Sequence, residues 1–222
     1  MTQSGLTQSG LPRIGLLDYG MGNLHSVQRA FERLGASVTL VTSAAAMERC
    51  EALVLPGVGA FDPAMEQLHN AALVQPLQQW CSAGRPLLGI CLGLQLLFEA
   101  SDEGKAPGLG ILAGRVRALP RRTGYPIPHM GWEPLQPAQP SPLLPASGGS
   151  DTPPAWMYFV HSYAAEPSDP LCTTAWVDFA GERVAAAVWQ GSVGACQFHP
   201  EKSGPSGVAM LKRWLAWLAP GP

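Results

Sequence analysis

Apolar residues in the first half of the chain arrive in short blocks separated by segments of helical spacing. Ile14–Leu17 is an apolar run ending at Asp18-Tyr19-Gly20-Met21-Gly22-Asn23, where the glycines mark a turn after a strand. Val27, Ala30, Phe31 and Leu34 then fall at i, i+3, i+4 and i+7, with Gly35 as a stop, which predicts a helix. Residues 37–42 alternate like a strand, and 52–55 form another, closed by Pro56-Gly57-Val58-Gly59. A helical stretch through 73–80 ends at Gly84, and Leu87–Ile90 is a buried strand running straight into a helix expected over 92–100.

Such alternation of strand and helix calls for a parallel sheet covered on both faces. The second half changes character. Residues 115–119, 157–160, 173–179, 183–189 and 194–198 are strand-like with few helices between them, which predicts mixed or antiparallel additions to the same sheet. A helix over 208–218, burying Leu211, Leu215 and Leu218, closes the unit. The expected fold is α/β: a single three-layer domain over 13–219 with a central, mostly parallel mixed sheet and flanking helices. Residues 1–12 contain Thr-Gln-Ser-Gly-Leu twice and read as a flexible tail without the charged and apolar regions of a signal peptide. Residues 134–154 carry Pro137, Pro140, Pro142 and Pro145 without apolar periodicity, and read as a long exposed loop within the domain.

Composition narrows the functional classes. A chain of 222 residues, 46% hydrophobic, can bury one sizeable core. Net charge is −2 with no basic block, which argues against nucleic acid as a partner, and no apolar run is long enough for a membrane-spanning helix. Five cysteines, an odd number without paired spacing, read as reduced thiols of a cytoplasmic protein. No histidine pairs with another His or a Cys at metal-ligand spacing, and neither a metal nor another cofactor is expected.

Gly89-Ile90-Cys91-Leu92-Gly93 sits where the fourth strand meets its helix, a nucleophile-elbow pattern with cysteine in the serine position. The sharp turn lifts the side chain clear of the sheet, the glycines leave room for it, and the helix start favours a thiolate. A thiol needs a nearby imidazole to become a competent nucleophile. His199-Pro200-Glu201 follows the strand ending at Phe198. Residues two apart in extended chain share a side, so Glu201 can hold one ring nitrogen of His199 while the other faces sulfur, with Pro200 keeping the segment extended. His25 and His69 lie on expected helices and should face solvent, whereas His129 and His161 sit in less ordinary contexts.

At this point the residues resemble a known family. Gly89-Ile90-Cys91-Leu92-Gly93-Leu94-Gln95 and Gln197-Phe198-His199-Pro200-Glu201 look like the two signatures of class I (triad-type) glutamine amidotransferases. Asp18–Asn23, Pro56-Gly57-Val58-Gly59-Ala60-Phe61, His129-Met130-Gly131-Trp132, Tyr158–Tyr163 and Glu201-Lys202-Ser203 are similar to the glutaminase subunits of imidazole glycerol phosphate synthases, which act in histidine biosynthesis. The resemblance implies L-glutamine as substrate, Cys91 as nucleophile, His199 as acid and base, and Glu201 as its orienter. It implies an oxyanion site made by the Leu92 amide and one from the Gly57–Gly59 turn. Gln95 would contact the glutamine, Glu103 its amino group, and Ser162 and Tyr163 its α-carboxylate end; a solvated acidic surface fits Glu103 equally well. It further implies a heterodimer with a separate (β/α)₈-barrel cyclase that receives the ammonia, with Asn23, Trp132 and Tyr158 on the docking face. The sequence departs from the family at Glu133, where Asn usually follows His-Met-Gly-Trp. A carboxylate cannot donate a carboxamide's hydrogen bonds, which puts the interface contact there in doubt. A glutaminase of another class I amidotransferase, or a non-catalytic regulatory relative, remain open as alternatives.

Overall fold

The computed structural model describes residues 12–145 and 154–219. The tail expected over 1–12 lies outside them except for Pro12, as do residues 146–153 of the proline-rich segment.

The first half follows the expected alternation. Strands β1 (Arg13–Leu17), β2 (Ser37–Val41), β3 (Ala52–Gly57) and β4 (Leu87–Cys91) are interleaved with α1 (Leu24–Glu32), α2 (Ala44–Met47), α3 (Phe61–Asn70) and α4 (Val74–Ser82). The helix expected over 92–100 is only one turn and a half, α5 (Leu92–Leu96), and the chain then forms β5 (Ala100–Ser101). The second half supplies β6 (Gly114–Ala118), β7 (His129–Pro134), β8 (Gln136–Pro137), β9 (Trp156–His161), β10 (Tyr163–Pro167), β11 (Thr173–Phe179), β12 (Glu182–Gln190) and β13 (Val193–Cys196). The last helix, α6 (Gly204–Leu218), begins four residues before the apolar spacing indicates, with Pro205 in its first turn.

The main sheet has the order β2-β1-β3-β4-β13-β12-β11-β8. Its first five strands are mutually parallel, and β12, β11 and β8 extend it antiparallel. Strands β3, β4 and β13 are buried at every position, because helices cover both faces; this is why they read as unbroken apolar runs. One layer holds Val27 and Phe31 of α1 with Met210, Leu211, Trp214 and Leu215 of α6. The opposite layer holds Phe61, Met65 and Leu68 of α3, Leu77 and Trp80 of α4, and Leu92, Leu94, Leu96, Leu97 and Phe98.

Two expectations are corrected. The strand-like segments of the second half do not all join one sheet: β10, β6 and β5 form a three-stranded sheet, and β7 and β9 form a separate antiparallel ribbon. Residues 134–145 are no simple exposed loop either. Leu135, Leu143 and Leu144 are buried in the core, and Gln136–Pro137 pairs with Ala175 and Trp176 at the sheet edge. Prolines suit that place, since an edge strand need not donate on its outer side.

Candidate active site

Cys91 is the last residue of β4 and the N-cap of α5, with φ 55° and ψ −110°. A non-glycine residue in that region is strained, and the surrounding packing enforces it. A Cβ on Gly93 would lie 1.8 Å from the Leu55 carbonyl oxygen, so the turn of α5 passes over β3 at backbone contact. Gly57 stands beside Cys91 in the β3–β4 register, and a Cβ there would meet the Tyr19 hydroxyl at 2.8 Å and Leu92 Cβ at 2.9 Å. The Tyr19 hydroxyl donates to the Pro56 carbonyl at 2.8 Å, anchoring the Pro56–Gly59 turn from the β1 side.

His199 follows the neighbouring parallel strand, three residues past the end of β13. Its Nδ1 lies 2.8 Å from Glu201 Oε1, and both side chains are essentially inaccessible. The contact expected between them is present, but the extended path is not: Pro200–Lys202 forms a 3₁₀ turn that folds Glu201 back under the ring. Glu201 Oε2 is buried without a hydrogen-bond partner among the described residues, so the carboxylate is directed at His199 alone. Burial works to lower the His199 pKa, but hydrogen bonds donated to Cys91 and Glu201 together with their charges outweigh it and raise the imidazole to about 9.

The triad opens on a pocket of about 240 Å³ lined by Gly59, Leu92, Gln95, Glu103, Ser162 and Tyr163 together with Cys91 and His199. A larger hollow of about 550 Å³ lies at the amino ends of β4 and β13 and contains no member of the triad. The smaller one is at the carboxyl edge of the parallel strands, where open α/β sheets place their ligands. Glu103 is half-buried, not a solvated surface group: its Oε2 accepts from the Phe61 N–H at 2.9 Å, and burial raises its carboxyl pKa. Gln95 is buried and donates from Nε2 to the Tyr163 carbonyl at 2.9 Å and to Gln197 Oε1 at 3.1 Å.

Asn23, Trp132 and Tyr158 do not line the pocket. Asn23 caps α1 by accepting from the Ser26 N–H. Trp132 and Tyr158 are opposite each other in the β7–β9 ribbon, ring centroids 6.0 Å apart edge to face, and Trp132 is 48% exposed. His25 and His69 face solvent as expected.

Several participants escaped sequence reasoning. Gln197 is fully buried and points Nε2 at Cys91 Sγ at 3.8 Å. Ser203 donates to the His199 carbonyl at 2.6 Å and accepts from the Tyr158 N–H at 3.0 Å, while the His199 N–H donates to the Tyr158 carbonyl at 3.0 Å. The His199 backbone is thereby pinned to β9. Nothing in sequence spacing signals either role; only proximity to the two motifs could have drawn attention to them.

A buried thiol, an imidazole and a carboxylate on adjoining strand ends of an α/β sheet define a cysteine-dependent acyl-transfer site. The chain belongs to the glutamine amidotransferase class-I family, whose profile matches residues 15–217. Among its relatives is imidazole glycerol phosphate synthase subunit HisH 2 of Prochlorococcus marinus (strain MIT 9313), 56% identical over 95% of this chain and 97% of that protein. Subunit HisH of Synechococcus sp. (strain CC9605) is 56% identical over 94% and 96% of the two chains. Solved structures share the fold at lower identity. PurLQS from Thermotoga maritima aligns at 21% identity with a TM-score of 0.71 over 94% of this chain and 99% of that chain. A glutamine amidotransferase crystal structure aligns at 20% with a TM-score of 0.69 over 93% and 98%.

Proposed function

We propose that this chain is the glutaminase subunit of an imidazole glycerol phosphate synthase. It hydrolyses L-glutamine to glutamate and ammonia and hands the ammonia to a cyclase subunit, a separate (β/α)₈ barrel. The observation that carries the reading is the buried Cys91–His199–Glu201 line opening on a pocket whose walls are Gln95, Glu103, Ser162 and Tyr163.

In this reading the Cys91 thiolate attacks the glutamine carboxamide carbon, and the tetrahedral oxyanion is met by the Leu92 N–H and one amide of the Gly57–Gly59 turn. The imidazolium of His199 gives its proton to the departing nitrogen, leaving a glutamyl thioester on sulfur and ammonia free. The neutral ring then takes a proton from water as it attacks the thioester, and returns it to sulfur as glutamate leaves. Glu201 keeps the ring oriented and stabilises its charge. Gln95 and Glu103 position the glutamine, the second through the substrate's ammonium group, while Ser162 and Tyr163 meet its carboxylate. Asn23, Trp132 and Tyr158 face the cyclase.

The test is to measure glutamate release with and without the cyclase subunit of the histidine pathway. Release that rises on adding that subunit is expected, and no response to it would overturn the assignment. Cys91→Ser abolishes glutamine use by the complex yet preserves cyclisation driven by added ammonia.

A further inference from the structure

A second line of polar groups, its two histidines buried and its carboxylate partly exposed, runs beside the triad and has no part in the steps above. His161 is buried on β9 and stands directly opposite His129 of β7 in the ribbon register. Its Nδ1 is 2.9 Å from the Tyr163 carbonyl oxygen, and its Nε2 is 3.3 Å from His129 Nδ1. His129 Nε2 in turn lies 3.2 Å from Glu133 Oε1.

Hydrogen bonding and burial together point to one assignment for this line. A carbonyl oxygen only accepts, so His161 Nδ1 carries a proton. Burial, with smaller effects from the neighbouring His129 and His199 and against the Tyr163 bond, pushes the His161 imidazole down to about 4, so the ring is neutral and its Nε2 bare. His129 therefore donates from Nδ1, and a further proton lies between its Nε2 and the Glu133 carboxylate. His129 itself is packed against Phe159 of β9 and Phe179 of β11, and Glu133 is the charged group that meets it.

The far end of the line is shared. The Tyr163 carbonyl that receives His161 also receives Gln95 Nε2, whose other contact is Gln197 Oε1, and Gln197 reaches the Cys91 sulfur. Gln95 Nε2 is thus committed to protein, leaving its Oε1 for whatever occupies the pocket.

We infer that His129 and Glu133 are positioning residues of the pocket: by holding His161 in its Nδ1-protonated form, they fix the Tyr163 carbonyl and with it the Gln95 amide that orients the substrate. The inference rests on the glutamine reading for the identity of that substrate. Glu133 has its partner inside the ribbon, in His129, while Met130 and Trp132 alternate to the outer side.

Two measurements decide it. Side-chain ¹⁵N spectra of the wild-type chain at neutral pH should show His161 protonated at Nδ1 alone and His129 donating from Nδ1. A His161 protonated at Nε2 overturns the inference. Glutamine kinetics of the chain with its cyclase should show KM raised about tenfold in Glu133→Leu and His129→Phe, the loss expected for one buried hydrogen bond, with kcat within about twofold. Glu133→Gln, whose amide can donate to Nε2 of a neutral His129, should keep KM within about twofold. Unchanged KM in the Leu and Phe variants, or an equal loss in Glu133→Gln, overturns the inference. The spectra require no turnover, so a wild-type chain that fails to hydrolyse glutamine sinks the functional reading without deciding this one.

Discussion

At Cys91 the chain tolerates a left-handed backbone that only dense packing can hold, and Gly93 supplies that packing. With 1.8 Å between its hypothetical Cβ and the Leu55 carbonyl oxygen, no rotamer change relieves Gly93→Ala; backbone must move. The variant should lose about 3 kcal/mol or more in urea unfolding, if it folds at all, and a loss below about 1 kcal/mol would contradict the close approach. His199 sets a pH dependence. Its folded pKa of about 9 lies above the ordinary imidazole value of 6.5, so the bound proton favours the native state. That contribution is fully present below about 6.5 and fades as pH rises through about 9, because the unfolded ring gives up its proton first. The wild-type Tm should therefore fall, relative to that of His199→Asn, between those two pH values. Parallel curves for the two proteins would show that the imidazole is not held as described.

Among the elements, α6 and the β7–β9 ribbon do the most to seat the site. Helix α6 buries Trp214 completely, edge to face with Phe31 of α1 at 5.7 Å, and so locks two helices of one layer over β1. The indole Nε1 is buried with no partner among the described residues, a cost that a phenyl ring would not carry. Trp214→Ala should cost about 3–5 kcal/mol by chemical denaturation, whereas Trp214→Phe should cost under about 1.5. The ribbon gains its role from alternation: along β7, His129 is buried while Met130 and Trp132 point outward, at 62% and 48% exposure. One strand therefore carries both a buried histidine and an outward-facing aromatic.

At the scale of the whole molecule, that exposed face adjoins the site. Met130 and Trp132 stand on the ribbon whose other strand, β9, holds the His199 backbone through Tyr158 and Ser203. In the proposed complex, Trp132→Ala should weaken association with the cyclase at least tenfold, the loss typical of a buried aromatic anchor, while the isolated chain keeps its Tm. Titration calorimetry and thermal unfolding together check this; unchanged affinity would place the docking face elsewhere. None of the described helices is long and apolar enough to cross a membrane, and all five cysteines are free.

Local chemistry made much of this protein legible from its residues in order. Buried parallel strands announced themselves as apolar runs because both faces are covered, and the glycines around Cys91 marked a turn that larger side chains could not make. The pairing of His199 with Glu201 was readable because the two stand only two residues apart, even though the path between them is a 3₁₀ turn and not a strand. What depended on contacts across the chain was not readable. The split of the later strands into three sheets, the burial of Leu143 and Leu144 in a proline-rich segment, and the roles of Gln197 and Ser203 arise between residues far apart in sequence. The same holds for the line from Glu133 through His129 and His161 to Tyr163, where two histidines 32 positions apart meet at 3.3 Å. Periodicity and motif record what a residue's neighbours along the chain demand of it. Cys91 could be singled out as a candidate nucleophile on those terms, but the company its sulfur keeps was decided by packing.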